Sequence, residues 1–180
     1  MKATGIVRRI DDLGRVVIPK EIRRTPRIRE GDPLEIFTSN DGEVIFKKYS
    51  PIGELSAFAG QYAEILHKTS SRPVIVCDRD HVVSASGLPK KELLERRISP
   101  ALEELIEERK SYIYGQQGGA LLYPVEGIER PALVEYPIIS AGDVCGSILF
   151  LADGEPTVPT EAEEKLLQAA AGFLGKQMEE

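Results

Sequence analysis

One stretch decides the fold of the first fifty residues: Gly14-Arg15-Val16-Val17-Ile18-Pro19-Lys20-Glu21-Ile22-Arg23-Arg24. Its three consecutive β-branched residues, Val16 to Ile18, predict a short strand. Pro19 ends this strand and suits the first position of a helix, where its missing N–H costs no hydrogen bond. The stretch therefore predicts a strand that passes directly into a basic helix.

A second strand is predicted on the N-terminal side of this stretch. Residues Thr4 to Ile10 contain apolar side chains at loosely alternating positions, with Arg8 and Arg9 exposed between them. Asp11-Asp12-Leu13-Gly14 supplies a turn, because aspartate favours Asx turns and glycine tolerates positive φ. The two predicted strands would therefore form a hairpin.

The predicted helix is short and has a cationic face. Pro26 disfavours helical geometry at the residue before it, so the helix is expected to end near Thr25. Ile22 is expected to point into the core. The opposite face carries cations at i, i+3 and i+4: Lys20, Arg23 and Arg24. Since like charges at these spacings cost about 0.2–0.5 kcal/mol per pair, the face indicates an anionic partner.

A second hairpin is predicted after the turn at Gly31-Asp32. Its strands are Leu34 to Phe37 and Val44 to Lys47, and Asn40-Asp41-Gly42 between them is a strong hairpin-turn signal. A unit of about fifty residues with these elements buries little surface and is marginal alone. A dimer that shares its strands would supply the missing core.

Charge is distributed unevenly along the chain. The 180 residues have a net charge of −6, but residues 1–29 contain nine lysines and arginines against three acids. A basic cluster in an acidic protein indicates a polyanionic partner for that cluster. The alternative is an ordinary solvated face.

The first fifty residues resemble a known protein family. The run Met1 to Pro19, followed by Glu21 to Thr25, closely resembles the AbrB-type DNA-binding domain of bacterial transition-state regulators. The resemblance implies that two chains interleave their hairpins into a swapped β-barrel and bind double-stranded DNA. By position, it assigns DNA contacts to Arg8, Arg15, Arg23 and Arg24, with Arg9 and Lys20 as auxiliary cations. Pro26 departs from the apolar residue usual in the family, which puts the placement of Arg27 in doubt.

The basic residues of the first fifty positions are compatible with DNA recognition, although the sequence has none of the common DNA-binding motifs. Cations that neutralise phosphates give affinity with a steep salt dependence, and arginine can also bind guanine edges in the major groove. The sequence has no helix-turn-helix pair, zinc ligand set or heptad-linked basic region, so specificity is expected from a dimer surface that matches DNA shape. Arg15 and Arg23 are expected to matter most.

The pattern changes to helical after residue 50. Residues 1–50 are predicted as the DNA-binding domain, residues 51–55 as a linker into a helix, and residues 56–180 as a second domain. The first helix, residues 54–68, has a predicted apolar stripe of Leu55, Phe58, Tyr62 and Ile65. A last helix opens at a capping box, Thr160 to Glu163, and runs to Met178. Its predicted buried face is Leu166, Ala170, Phe173 and Leu174.

Six strands and a helical region are predicted between these helices. The strands are residues 72–78, 82–85, 112–114, 120–123, 132–139 and 144–151. The helical region begins at Lys91 and either ends before Pro100 or continues to Lys110. This order resembles a GAF domain, so the predicted fold class is α+β, with a swapped-hairpin barrel dimer followed by a GAF-like antiparallel sheet with flanking helices.

The GAF fold can hold a small molecule between its sheet and connecting helices, but many of its members hold none, so the resemblance leaves a ligand open. No cofactor is expected. Four tyrosines either line a pocket or belong to the core: Tyr112, Tyr114, Tyr123 and Tyr136. The two terminal helices are expected to form a four-helix bundle between two chains. Combined with dimeric DNA-binding domains, this interface predicts a closed tetramer.

No catalytic or metal site is predicted. Cys77 and Cys145 lie in apolar runs and are expected to be buried, unreactive thiols. His67 and His81 are expected at the surface.

The apolar runs are too short to span a bilayer, and the N-terminus has no apolar signal segment, so a cytoplasmic protein without membrane contact is expected.

The whole chain resembles the sporulation regulators of endospore formers. The resemblance implies a transcription regulator, activator and repressor, of sporulation genes that assembles through its second domain, and it leaves open whether that domain senses a small molecule. The alternative is an antitoxin-like or ligand-controlled protein-interaction module, in which the first domain binds a protein.

Overall fold

The computed structural model describes residues 3–116 and 118–179 and separates into two compact units, Met1–Tyr49 and Ser50–Glu180. The first unit contains helix α1 (Lys20–Arg24) and strands β1 (Leu34–Thr38) and β2 (Val44–Lys48). The second unit contains a five-stranded sheet and five helices in its described residues.

The strands predicted at residues 4–10 and 16–18 are wrong for the single chain. Both segments lack strand pairing, and only the turn between them closes, where Asp11 N–H donates to the Arg15 carbonyl at 3.0 Å. The strand preference of β-branched residues depends on packing against neighbouring strands. Val7, Ile10 and Val17 are 85 %, 72 % and 72 % exposed, so the described residues leave them largely uncovered.

The second predicted hairpin is confirmed. Strands β1 and β2 pair antiparallel with Ile36 opposite Phe46, and residues 39–43 form the connection. Gly42 has φ +79°, a conformation that favours glycine, and its N–H donates to the Ser39 carbonyl at 3.2 Å. The Asn-Asp-Gly signal therefore located this turn correctly.

The sheet of the second unit is antiparallel throughout, in the order β4-β3-β7-β6-β5. Its strands are β3 (Val74–Asp78), β4 (Val82–Ser86), β5 (Tyr112–Ile113), β6 (Ala132–Ser140) and β7 (Asp143–Leu151). Five of the six predicted strands are thus confirmed. The sixth, residues 120–123, is irregular, because Leu122 contributes a single carbonyl to Ala132 N–H, at 2.7 Å, instead of a ladder.

The helices of the second unit are α2 (Pro51–Glu54), α3 (Ser56–Ser70), α4 (Lys90–Leu93), α5 (Pro100–Glu108) and α6 (Glu161–Gln177). The predicted helical region from Lys91 is two separate helices. The break contains Glu95 at φ +64°, and α5 restarts after Ser99, whose hydroxyl accepts from Leu102 N–H at 3.2 Å. Within the described residues no helix is both long and apolar enough to cross a bilayer.

Apolar clusters cover both faces of the sheet. The cluster on one face includes Val76, Phe150 and residues of α3 and α6, and we call it the helix-face cluster. The cluster on the other face includes Ile75, Leu149 and residues of α5, and we call it the loop-face cluster because long connections complete it. The second unit therefore has the buried core that the first unit lacks.

The buried faces of the two long helices differ from the prediction. Helix α3 buries Ala59, Ala63 and Leu66, whereas Ile65 of the predicted stripe is 59 % exposed. On α6, Ala170 and Leu174 are buried as predicted, but Phe173 is 44 % exposed. The smaller residues allow each helix to lie close to the sheet, and this leaves the larger ones at the margin.

Residues 51–55 belong to the second unit and are not a simple linker. Expected to be a linker, they contain α2, whose Ile52 is fully buried in the helix-face cluster.

The start of α6 is fixed by local hydrogen bonds. The capping box of α6 is confirmed: Thr160 Oγ1 accepts from Glu163 N–H at 3.2 Å, and Glu163 accepts from Thr160 N–H at 2.8 Å. Glu163 also pairs with Arg72 at 2.7 Å, which attaches the start of α6 to the segment before β3.

Candidate nucleic-acid interface

Arg15 is held in a defined direction by the turn that precedes it. The carboxylate of Asp11 accepts from the Arg15 backbone N–H at 2.8 Å and from the Arg15 side-chain Nε at 2.8 Å. It also accepts from Leu13 N–H at 3.0 Å, and Gly14 allows the turn at φ +74°. The Arg15 side chain nevertheless stays 70 % exposed, so its cation is both oriented and accessible.

The same contacts shift the ionisation of Asp11. Hydrogen bonds from the Arg15 backbone and then from the Arg15 side chain lower the pKa of Asp11 below its ordinary value. The turn therefore keeps its carboxylate ionised, and the carboxylate keeps the guanidinium in place.

Helix α1 presents its cations unequally. Pro19 lies at the N-cap rather than at the predicted first helical position, and it is buried. Lys20 and Arg24 are exposed, while Arg23 is half-buried, and its Nε is buried without a hydrogen-bond partner among the described residues. A buried donor without a partner is costly, so the Arg23 guanidinium is incompletely satisfied by the described residues of the single chain.

The helix ends for a different reason from the predicted one. Thr25 keeps right-handed helical dihedrals (φ −63°, ψ −51°) despite the proline that follows it. The chain reverses at Arg27, which has φ +51°, and Ile28 N–H donates to the Arg23 carbonyl at 2.9 Å. Arg27 therefore lies in the terminating turn, beyond the cationic face of α1.

A buried acid fixes the segment between α1 and β1, and the sequence analysis missed it. Asp32 accepts from Arg29 N–H at 2.8 Å and pairs with Lys48 at 3.6 Å, and its side chain is only 3 % exposed. Lys48 Nζ also donates to the Arg27 carbonyl at 3.0 Å. The turn at Gly31-Asp32 was predicted, but the burial of the Asp32 carboxylate was not, because it depends on Lys48, which is distant in sequence.

All six predicted DNA-contacting residues lie in the first unit, and five are exposed. Arg8 and Arg9 lie on the extended segment before the turn, Arg15 directly after it, and the other three on α1. Within residues 3–49, Pro19 is the only residue that is buried as a whole, although the Asp32 side chain is also enclosed. The structure therefore presents these cations on a unit that has almost no core within one chain.

The four tyrosines considered as pocket residues do not share one pocket. Tyr112 is buried in the loop-face cluster, where its hydroxyl donates to the Ala120 carbonyl at 2.6 Å. Tyr136 packs against the helix-face cluster on the other side of the sheet, Tyr123 is 44 % exposed, and Tyr114 contacts both clusters. The core interpretation therefore fits Tyr112 best.

The two cysteines are buried free thiols, as predicted, and burial raises the pKa of each. A raised pKa disfavours the thiolate that a nucleophile requires. His67 is half-buried rather than at the surface, and its Nδ1 lies 2.8 Å from the Arg72 carbonyl. These residues give no arrangement typical of a catalytic site.

Comparison with known proteins identifies the family. Residues 54–179 match the family model described as stage V sporulation protein T C-terminal, transcription factor. The chain is also 50% identical over 182 residues to stage V sporulation protein T of Bacillus subtilis (strain 168), with 100% of both chains covered. The chain belongs to the stage V sporulation protein T family. It is therefore a sporulation transcription regulator, in agreement with the prediction that it is not an enzyme.

The N-terminal unit of this family member is similar to part of a transition-state regulator. It is 61% identical over 51 residues to the transition state regulatory protein AbrB of Bacillus subtilis (strain 168), a match that covers 28% of this chain and 52% of that protein. Residues 7–53 also match the family model described as antidote-toxin recognition MazE, bacterial antitoxin. The predicted AbrB-like domain is thereby confirmed.

The second unit has the fold of a GAF domain. It is similar to the GAF domain of an Acinetobacter phosphoenolpyruvate-protein phosphotransferase, with a TM-score of 0.56, 12% identity, and coverage of 69% of this chain and 81% of that one. It is also similar to a type II free methionine-R-sulfoxide reductase from Thermoplasma acidophilum, with a TM-score of 0.50, 11% identity, and coverage of 71% and 94%. At these identities the likeness concerns the fold alone.

Proposed function

We propose that the N-terminal unit binds double-stranded DNA as a dimer, through Arg8, Arg9, Arg15, Lys20, Arg23 and Arg24. The observation that carries this proposal is the accessible cationic cluster itself, in which Arg15 is directed by Asp11 and five of the six cations are exposed. Charged donors held in fixed directions suit phosphate oxygens and guanine edges. Such a role fits the expected cytoplasmic location.

The dimer is proposed because of the exposed apolar side chains in the first unit. Val7, Ile10, Leu13 and Val17 are each at least 70 % exposed, and Ile36 and Val44 of the hairpin are 61 % and 60 % exposed. Covering apolar surface contributes about 25 cal/mol per Å². Interleaving the hairpins of two chains would bury these side chains and would place two copies of each cation on one surface.

A tetramer is proposed from the exposed edge of α3 and α6. The Phe173 ring lies 6.0 Å from the Phe58 ring and 5.5 Å from the Tyr62 ring, centroid to centroid, and together with Ile65 they form what we call the aromatic edge. Ile65 and Phe173 are 59 % and 44 % exposed. Pairing two aromatic edges would make a four-helix bundle that joins two dimers.

DNA binding is tested by quantitative footprinting of the full chain on the promoter of a sporulation gene. Arg23→Ala is expected to weaken binding by on the order of tenfold or more, because it removes one charged donor from each chain of the dimer. Lys91→Ala is the matched control, since Lys91 is an exposed cation of the second unit. Equal protection by wild type and Arg23→Ala would contradict the assignment.

A second function is favoured by the match of residues 7–53 to the antitoxin family model. In this alternative the first unit binds a protein, and its cations meet an acidic partner surface. Protection of promoter DNA in the footprinting experiment favours the regulator. Absence of protection at low salt would favour the protein-binding alternative.

A further inference from the structure

A carboxyl group lies inside the second unit at the centre of its sheet. Glu135 is on β6, opposite Tyr112 of β5 on one side and Leu149 of β7 on the other, and its exposed fraction is 0%. Leu149 is in turn opposite Ile75 of β3. Because opposite residues share one face of a sheet, Glu135 lies among the side chains of the loop-face cluster.

The hydrogen bonds around this carboxyl are most complete when it carries a proton. Ser147 Oγ lies 2.5 Å from Glu135 Oε1 and 3.3 Å from the Tyr136 carbonyl oxygen, and a hydroxyl has one proton to donate. With Glu135 ionised, the Ser147 hydroxyl can donate to only one of the two acceptors. With Glu135 protonated, Oε1–H donates to Ser147 Oγ, and Ser147 donates to the Tyr136 carbonyl, so both contacts are satisfied.

The second carboxyl oxygen of Glu135 also favours the protonated form. Among the described residues, Glu135 Oε2 is buried without a hydrogen-bond partner. An ionised carboxylate shares its charge between both oxygens, and burying such a charge without a partner is far more costly than burying a neutral carbonyl oxygen. No lysine or arginine of the described residues contributes to the ionisation of this group.

We propose that Glu135 is held as a neutral acid in the folded second unit and that its ionisation loosens that unit, so that Glu135 acts as a proton-dependent conformational element. The proposal does not depend on DNA binding or on the tetramer. It concerns a residue that no part of the proposed function uses.

The titratable neighbours do not oppose this assignment. The loop-face side contributes the Cys77 thiol from β3 and the Tyr112 hydroxyl from β5, both neutral and with pKa values raised by burial. Tyr136, the next residue of β6, also has a pKa raised by burial. No charged group of α5 shifts the pKa of Glu135. Burial raises that pKa to about 7, although the Ser147 hydroxyl and the Tyr112 N–H act in the opposite direction.

The sign of the pH dependence follows from this shift. The ordinary pKa of a glutamate is 4.5, so between pH 4.5 and about 7 the folded state binds more protons than the unfolded state. Stability from this group is therefore complete below pH 4.5, falls as pH rises, and is lost above about 7. The unfolding equilibrium constant should increase by up to about tenfold per pH unit in that range.

The test combines infrared spectroscopy and thermal unfolding of the full chain at fixed concentration. At pH 6, wild type is expected to show the C=O band of a protonated carboxyl that Glu135→Gln lacks, and this band should disappear with a midpoint near pH 7. The thermal midpoint of wild type is expected to fall from pH 5.5 to pH 8 more than that of Glu135→Gln. Glu129→Gln, which alters an exposed glutamate, should behave like wild type.

Two results would overturn the proposal. One is the absence at pH 6 of any protonated-carboxyl band that the Glu135→Gln substitution removes. The other is an identical pH dependence of unfolding in wild type and Glu135→Gln. Should Glu135→Gln fail to fold, wild type labelled with ¹³C-carboxyl glutamate decides the matter, because the label must shift a band that titrates near pH 7.

Discussion

At the scale of single residues, the pair Asp11 and Arg15 shows how an acidic side chain can orient a cation within a basic surface. Asp11 reduces the net positive charge of the first unit, which by itself weakens attraction to phosphates. In exchange, its two oxygens fix the backbone and the side chain of Arg15. The pair therefore orients the Arg15 guanidinium at the expense of some electrostatic attraction to phosphates.

This interpretation predicts that Asp11→Ala lowers discrimination more than affinity. Binding to random-sequence DNA should become equal or tighter, because a negative charge is lost, while the ratio of promoter to random-DNA affinity should fall by on the order of tenfold. Fluorescence anisotropy with both DNAs measures the ratio. Asp12→Ala makes the same charge change without touching the Arg15 contacts, so it should keep the wild-type ratio, and a loss as large as that of Asp11→Ala would count against the interpretation.

At the scale of elements, the predictions that depend only on local contacts are confirmed. The capping box at Thr160 and the Asn-Asp-Gly turn before β2 depend on contacts within a few residues, and both are present. The segments at residues 4–10 and 16–18 depend instead on a neighbouring strand, which the single chain does not supply. The strand predicted at residues 120–123 is absent for a similar reason, because its backbone forms no ladder with the sheet: the Ala120 carbonyl accepts from the Tyr112 hydroxyl and the Leu122 carbonyl accepts from Ala132 N–H.

The buried faces of α3 and α6 could be predicted only in part. Periodicity ranks side chains by hydrophobicity, so it selected Phe58, Ile65 and Phe173, whereas close packing on the sheet selected Ala59 and Ala63. Both sets are apolar, and together they make each helix apolar on more than one side. The remaining apolar side is the aromatic edge to which the proposed tetramer is assigned.

The aromatic edge predicts the outcome of placing a charge on it. Phe173→Glu should convert the full chain from a tetramer to a dimer in equilibrium sedimentation, because a carboxylate would be buried between paired edges. Its helical content by circular dichroism should be unchanged, since Phe173 is 44 % exposed in the single chain. Gln168→Glu introduces the same charge at another exposed position of α6 and should remain tetrameric; dissociation of both variants alike would show that charge on α6, rather than the edge, is responsible.

At the scale of the whole molecule, the two units have opposite physical characters. The second unit encloses two apolar clusters around one sheet, whereas within positions 3–49 the first unit buries only Pro19 and the Asp32 side chain. Composition already indicated this division, since the basic cluster lies wholly in the first 29 residues. A unit without a core folds by association, so assembly and DNA binding are expected to be properties of the same dimer.

The central claim is that paired copies of the basic cluster bind DNA, and it is tested most directly by the salt dependence of binding. The logarithm of the affinity of the full chain for promoter DNA should fall linearly with the logarithm of salt concentration, and Arg15→Ala should make that slope shallower by about 2, since each dimer loses two phosphate-neutralising cations. A slope that is unchanged in Arg15→Ala, at unchanged affinity, would contradict the account.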